Sequence, residues 1–259
     1  MEINLENAKE KFINYTETYN LKDENIKRKQ QHSLRVMKIS EQIATKLKLD
    51  KEQIQIATLI GLLHDIGRFK QYTEIGLGDN IEGFDHGNYG VKILFEDGMI
   101  RKFIETDQYD EIIKKAIKNH NKFAIEDGLT QEELLFAKII RDADKIDIIY
   151  ESEYIFYKGQ EELINQSILT EKIYNQFMKK TLVKKEKNVN LKFIDDIVCV
   201  LAFIFDINYK TSFKILKEKD YISKILNRYN FEDEKTSQRV EKIKKLANEY
   251  IGCKAMEEN

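Results

Sequence analysis

Hydrophobic residues recur every three or four positions along most of the chain, which is the period of an amphipathic α-helix. One such pattern covers about residues 26–47 and a second covers 109–120. A third runs to about residue 150, after a capping box in which Thr130 is followed three residues later by Glu133. The 259 residues contain no proline, so long helices are permitted. We therefore predict an all-α fold.

The segment 51–65 departs from the amphipathic pattern because residues 54–63 are apolar on nearly every side, which predicts a buried helix. Asp50 is the predicted N-cap, with Gln53 completing a variant of the capping box. The helix ends in His64 and Asp65, and Gly67 fits the position just past its end. A buried aspartate is costly unless it is paired or bound to a cation. We therefore expect partners for Asp65.

Glycines break the helical period after this segment. Residues 71–85 carry three of them and show no helical pattern, which predicts a flexible loop able to cover a site. Asp85 is the predicted N-cap of a helix that begins at His86 and runs to about residue 97. Gly90, one turn later, would allow a neighbouring helix to approach closely.

The second half of the chain predicts further amphipathic helices and no cluster of chemically active side chains. The predicted spans are 151–165, 170–183, 191–208, 211–229 and 236–251. The sequence contains no convincing linker, so we predict one domain over residues 1–259.

Composition excludes some classes of partner. Lys and Arg (43) nearly balance Asp and Glu (45), so binding of duplex nucleic acid through bulk charge is not expected. No apolar run is long enough to cross a membrane, and no signal peptide is recognised. The two cysteines, Cys199 and Cys253, lack metal-binding spacing, which favours a reducing, cytoplasmic location.

Histidine placement is the strongest chemical signal. All four histidines, together with two acids on buried stripes, occupy inward or helix-terminal positions: His32, His64, His86, His120, Asp65 and Asp144. One inward histidine is ordinarily a core residue, but four of four indicate metal binding. Mixed imidazole and carboxylate ligands suit Fe, Mn, Ni, Co or Zn, whereas Mg and Ca prefer oxygen alone.

Six ligands are more than one catalytic ion with open positions needs. We therefore predict two ions with Asp65 as the bridging carboxylate. His32, His64, Asp65 and Asp144 would hold one ion, and His86 and His120 the other.

The order His32, His64-Asp65, Asp144 resembles the HD superfamily of metal-dependent phosphohydrolases, and His86 with His120 resembles its two-metal branch. The resemblance covers about residues 26–150 and includes the segment 142–145, which is similar to the terminal Asp motif of the family. It implies an HD-domain helical bundle as the catalytic core, with additional C-terminal helices (151–259) packed on it. The chain lacks the Gly-Tyr-Pro signature of the branch that hydrolyses cyclic dinucleotides.

The resemblance implies hydrolysis of a nucleotide-like phosphoester or phosphoanhydride by a metal-bridging water. The substrate would be a small phosphorylated molecule, and a homodimer is left open. Asp65 and Arg68 are the predicted catalytic residues. Arg68 and Lys145 are the candidates for binding phosphate. For each of these two cations the alternative is an ion pair with a neighbouring acid.

Two other functions are compatible with the same residues. The ordered set also resembles the mixed-valent di-iron oxygenases of the superfamily, which would act on a small polar substrate. In a third, non-enzymatic interpretation the metals are structural and the C-terminal helices form a partner surface. A chain of this size does not need a metal to fold, which disfavours the third interpretation. The usual chemistry of the superfamily and the presence of Arg68 favour the hydrolase over the oxygenase.

Overall fold

The computed structural model describes residues 3–74, 84–155, 157–183 and 193–257, and these ranges contain helices and no strand. The prediction of an all-α fold is confirmed. In the first half the helices are α1 (Leu5–Glu17), α2 (Glu24–Lys46), α3 (Lys51–Leu63), α4 (Ile66–Glu74), α5 (His86–Val91), α6 (Asp110–Asn119) and α7 (Gln131–Tyr154). They are followed by α8 (Glu161–Asn165), α9 (Glu171–Met178), α10 (Phe193–Leu201), α11 (Lys210–Lys219), α12 (Tyr221–Leu226) and α13 (Glu234–Met256).

The chain divides into two compact units, Met1–Asp144 and Lys145–Asn259, and the boundary falls within α7. Each unit has its own apolar core. The single domain expected over residues 1–259 stays a prediction. No helix among the described residues has the length and apolar character needed to cross a bilayer.

Helices α2 and α3 form the centre of the first unit. Side chains from Ile56 to Leu63 are buried around the whole circumference of α3, as its apolar sequence predicts. The predicted capping box is present, because the Asp50 carboxylate accepts from the Gln53 amide N–H at 2.8 Å. A Cβ on Gly61 would lie 2.7 Å from the Ser40 hydroxyl, so this glycine lets the two helices approach closely.

The prediction that Gly67 ends α3 is wrong. Gly67 lies inside α4, which starts at Ile66 directly after the His64-Asp65 doublet, and its backbone is not left-handed. A Cβ on Gly67 would come within 2.8 Å of the Gly90 nitrogen and of the His86 carbonyl oxygen. Gly67 is therefore needed for the close approach of α4 to α5. A Cβ on Gly90 would meet its nearest neighbours at 3.6–3.7 Å, which is ordinary contact, so the approach does not depend on Gly90 as predicted.

The predicted loop over 71–85 is wrong at its start, because residues 71–74 continue α4. Residues 75–83, on which the rest of that prediction falls, lie outside the described residues. Asp85 caps α5 as predicted, since its carboxylate accepts from the Asn88 amide N–H at 3.1 Å. A π-helical turn, Lys92–Glu96, then carries the helix to its predicted end.

In the second unit two predicted helices are interrupted. The span 151–165 contains the end of α7, a break and then α8. The span 211–229 is divided into α11 and α12 because Asp220 adopts a left-handed backbone conformation, with φ of 51°. The predicted span 191–208 contains α10 followed by a 3₁₀ segment, Ala202–Asp206.

Candidate metal centre

Five helices of the first unit bring the six predicted ligands together. His32 lies in the middle of α2, His64 and Asp65 follow the end of α3, His86 opens α5, His120 follows the end of α6, and Asp144 lies in α7. All except His86 are buried, and the His86 side chain is 15% exposed. Each of these six residues lies in a helix or at a helix end, so helix packing fixes their positions.

The first group of donor atoms surrounds His32 and His64. Their Nε2 atoms are 3.2 Å apart. Asp144 Oδ1 lies 3.1 Å from His32 Nε2 and 3.6 Å from His64 Nε2. Asp65 Oδ2 lies 3.5 and 3.6 Å from the same two nitrogens. Two imidazoles and two carboxylates therefore converge on one small volume.

The second group consists of His86 and His120, whose Nε2 atoms are 3.1 Å apart. Asp65 faces them with its other oxygen, since Oδ1 lies 3.6 Å from His86 Nε2 and 3.5 Å from His120 Nε2. The two oxygens of Asp65 are thus divided between two pairs of histidines. This division is the geometry that a bridging carboxylate requires.

The ring orientation of two histidines is fixed by their own helix ends. His64 Nδ1 lies 2.9 Å from the Gly61 carbonyl, and His120 Nδ1 lies 2.7 Å from the Ile117 carbonyl. The last carbonyls of a helix have no partner within the helix, and a carbonyl can only accept, so both Nδ1 atoms carry the proton. The Nε2 atoms keep their lone pairs and point them into the centre.

Burial and neighbouring charges together set the protonation states of the histidines and aspartates in the centre. Burial lowers the pKa of His64, and it lowers the pKa of His86 well below the ordinary value, although Asp65 opposes both shifts. Burial raises the pKa of Asp65, but Lys29 and His64 outweigh it and hold that pKa well below the ordinary value. For Asp144, burial is likewise outweighed by the neighbouring His32 and His64, which hold its pKa well below the ordinary value. Neutral imidazoles and ionised carboxylates are the forms that bind metal ions.

The spacing of the donor atoms fits metal ions. Two ligands each roughly 2.1 Å from one ion are about 3.0–3.4 Å apart, for ligand–metal–ligand angles between the octahedral and the tetrahedral value. The histidine pairs and the His32–Asp144 contact lie in this range, and the remaining contacts reach 3.6 Å. One set of potential ligand atoms comes from His32, His64 and Asp144 and another from His64, Asp65 and His120, with all atoms of a set within 4.8 Å.

Comparison with known families agrees with this geometry. Residues 30–149 match the family model of the HD domain. The chain carries an HD domain. The matched range is close to the predicted core of 26–150, and an HD domain indicates a metal-dependent hydrolase. No curated protein and no solved structure matches the chain.

Two buried cations flank Asp65 in the HD domain. Lys29 Nζ lies 2.8 Å from Asp65 Oδ2, and Lys29 is 8% exposed. Arg68 Nε lies 3.8 Å from Asp65 Oδ1, while its Nη1 donates to the Gln71 side chain at 2.9 Å. The sequence analysis identified Arg68 and missed Lys29. The signal was available, because Lys29 precedes His32 by three residues and so lies on the same face of α2.

Lys145, the other predicted phosphate-binding residue, has an acidic partner in the second unit. Its Nζ lies 2.8 Å from Asp206 Oδ2, and Lys145 is 6% exposed. This is the ion pair that the alternative interpretation of Lys145 requires, although Asp206 is not its sequence neighbour. Phosphate binding by Lys145 stays a prediction.

Arg141 is a further residue of the HD domain that the sequence analysis missed. Its guanidinium group is buried and donates to the carbonyl oxygens of Asn119 at 2.9 Å and Lys122 at 2.7 Å. Longer contacts of 3.4 Å reach the carbonyls of His120 and Phe123. Arg141 thus holds the turn that carries His120, from a position one turn before Asp144 in α7.

Proposed function

We propose that this protein is a phosphohydrolase that uses two divalent transition-metal ions, held by His32, His64, His86, His120, Asp65 and Asp144. The observation that supports the proposal is the division of Asp65, whose two oxygens face two separate histidine pairs at 3.5–3.6 Å. His32, His64, Asp144 and Asp65 Oδ2 could hold one ion by themselves, but a single ion there leaves Asp65 Oδ1, His86 and His120 without a role. A carboxylate shared by two ions uses all six residues.

The reaction would be the hydrolysis of a nucleotide-like phosphoester or phosphoanhydride. A water oxygen bonds to phosphorus, the bond from phosphorus to the leaving oxygen breaks, and the two protons of the water are divided between the products. When bound, a pair of divalent cations lowers the pKa of the attacking water and stabilises negative charge on the phosphoryl oxygens.

The residues of the chain would prepare the site for this reaction. The Nδ1–H bonds of His64 and His120 to main-chain carbonyls hold both rings in the orientation that presents Nε2. Arg68 lies at the Oδ1 side of Asp65 and carries a guanidinium group, which matches phosphoryl oxygens in a bidentate manner. Arg68 would therefore contact the substrate phosphate beside the ions.

The metal part of the proposal is tested by replacing the shared carboxylate. Asp65→Ala and Asp65→Asn are purified beside the wild-type protein, and bound metal is measured by plasma mass spectrometry. Asp195→Asn is a matched control, because Asp195 is equally buried and accepts a hydrogen bond from the Thr170 amide N–H. We expect the Asp65 variants to lose metal and Asp195→Asn to retain it.

The reaction part is tested with a panel of nucleoside mono-, di- and triphosphates and cyclic nucleotides, with Mn, Co, Ni, Fe or Zn supplied. We expect turnover in the wild-type protein and none in Asp65→Ala. Full turnover in Asp65→Ala would contradict the proposal. A mixed-valent iron pair seen by electron paramagnetic resonance, together with consumption of oxygen, would instead support the oxygenase alternative.

A further inference from the structure

We infer that Lys29 binds the substrate phosphate together with Arg68, and that this pair of cations selects phosphomonoesters over phosphodiesters. The inference rests on the proposed function and specifies its substrate class. A phosphomonoester carries two negative charges on its terminal phosphoryl group near neutral pH, since its second pKa is about 6. A phosphodiester carries one.

Lys29 is placed for this role by the packing of α2. Its ammonium group lies 2.8 Å from Asp65 Oδ2, the oxygen that faces His32 and His64 at 3.5 and 3.6 Å. A buried ammonium group is costly unless an anion accompanies it. An ammonium group has three N–H donors, so Lys29 can contact Asp65 and a phosphoryl oxygen at the same time.

The charges that contact Asp65 point to an anionic ligand. Lys29 lies at one carboxylate oxygen and Arg68 at the other, so two positive side chains face the same carboxylate. Divalent ions held by the centre would add further positive charge beside them. A dianionic phosphoryl group compensates more of this buried positive charge than a monoanionic one.

The two classes of ester would also differ in the number of hydrogen bonds that their phosphoryl oxygens can accept from Lys29 and Arg68. The terminal group of a phosphomonoester offers three oxygens without a carbon substituent, whereas a phosphodiester offers two. Hydrogen bonds from a charged donor to a charged acceptor are about twice as strong as neutral ones. Loss of one oxyanion and of one charge should therefore weaken both the Lys29 and the Arg68 contact.

The first experiment uses the wild-type protein loaded with metal. Its kcat/KM is measured for p-nitrophenyl phosphate and for the methyl diester of the same compound, which share a leaving group. We expect the monoester to be preferred by about tenfold or more, the effect of one charged hydrogen bond. Preference for the diester would overturn the inference and leave the proposed function standing. Absence of both metal and hydrolysis in the wild-type protein would refute the proposed function itself.

The second experiment measures orthophosphate binding by calorimetry at about pH 8, where the dianion dominates. Lys29→Met removes the positive charge and Lys29→Arg keeps it. The control is Lys118→Met, which removes a lysine of α6 whose partner is Glu126. We expect Lys29→Met to raise the dissociation constant of phosphate by about tenfold or more. Lys29→Arg should restore most of the affinity, and Lys118→Met should not change it.

Metal content measured on the same samples separates substrate binding from a purely structural role. We expect Lys29→Met to retain the metal content of the wild-type protein, because an ammonium group is not a metal ligand. A phosphate dissociation constant within twofold of the wild-type value in Lys29→Met would overturn the inference. Loss of metal from both Lys29 variants would also overturn it, since Lys29 would then serve only to hold Asp65.

Discussion

Replacement of Arg141 by methionine should loosen the turn that carries His120. The guanidinium group donates to two main-chain carbonyls at 2.9 and 2.7 Å and makes two weaker contacts at 3.4 Å. A methionine side chain is also long and unbranched, but it is apolar and has no hydrogen-bond donor. The carbonyls of residues 119 and 122 would then lose a buried, charged partner, and the link from α7 to the end of α6 would be cut.

The loss of local stability in Arg141→Met can be estimated from these contacts. A buried acceptor left without its partner costs about 1–3 kcal/mol. The contact with the Asn119 carbonyl is buried, whereas the contact with the Lys122 carbonyl is part-buried and counts for less, so together they give about 2–4 kcal/mol. The two long contacts add little because hydrogen bonds weaken with distance. Removing the buried positive charge offsets part of this cost. We therefore expect a local destabilisation of about 3 kcal/mol.

Hydrogen exchange is the suitable assay because it resolves the turn from the rest of a chain with two compact units. The amides of residues 119–123 should exchange roughly a hundredfold faster in Arg141→Met, as about 3 kcal/mol of lost local stability implies. Arg141→Lys should be intermediate. Arg239→Met is the control, because Arg239 donates to a single carbonyl, that of Leu169, at 3.2 Å. Unchanged exchange at 119–123 in Arg141→Met would refute the argument.

Three further changes have defined outcomes. Gly67→Ala should lower the free energy of unfolding by about 1–3 kcal/mol because its Cβ would meet backbone atoms at 2.8 Å. Gly252→Ala is the control, because a Cβ there would have no neighbour within 4 Å and should not destabilise the protein. Equal melting temperatures for the two variants would contradict this prediction. Hydrogen bonds from Lys118 and Lys115 lower the pKa of Glu126 from 4.5 to about 2. The carboxylate therefore stabilises the fold above about pH 4.5 and loses this effect as the pH falls through 2. Glu126→Gln should therefore be less stable than the wild type at pH 7, by under about 1 kcal/mol for such a surface pair, and the difference should vanish in acid denaturation profiles. Chelation should remove the metal without changing the far-ultraviolet circular dichroism, and loss of helicity would show that the metal holds the fold.

Local signals were sufficient to predict most helices of the first unit and to select the six residues that the structure brings together. The stripe that contains His32 and the one that ends at His120 follow helical periodicity, and the capping box at Asp50 fixes the start of α3. Because α2, α3 and α6 are regular and their ends are well marked, a histidine on an apolar stripe could be assigned to the interior. The position of Asp65 followed from α3 alone.

The features that were missed depend on contacts between distant parts of the chain. Gly67 looked like a helix end, but its absent side chain makes room for α5, which no local pattern encodes. Lys29 is an exception, because its position three residues before His32 on α2 is a local signal; it was missed since lysines are rarely buried. The partner of Lys145 lies far along the chain at Asp206. The left-handed backbone at Asp220 is carried by a residue other than glycine and so left no clear signal.

The compensation of Asp65 bears on whether the metal is structural. Lys29 lies 2.8 Å from one oxygen of its carboxylate and Arg68 lies 3.8 Å from the other. The Nδ1 atoms of His64 and His120 are held by main-chain carbonyls. Groups of the protein therefore orient these ligands and offset part of the Asp65 charge. A bound metal would then act on a substrate rather than on the fold, because helix packing orders the ligands.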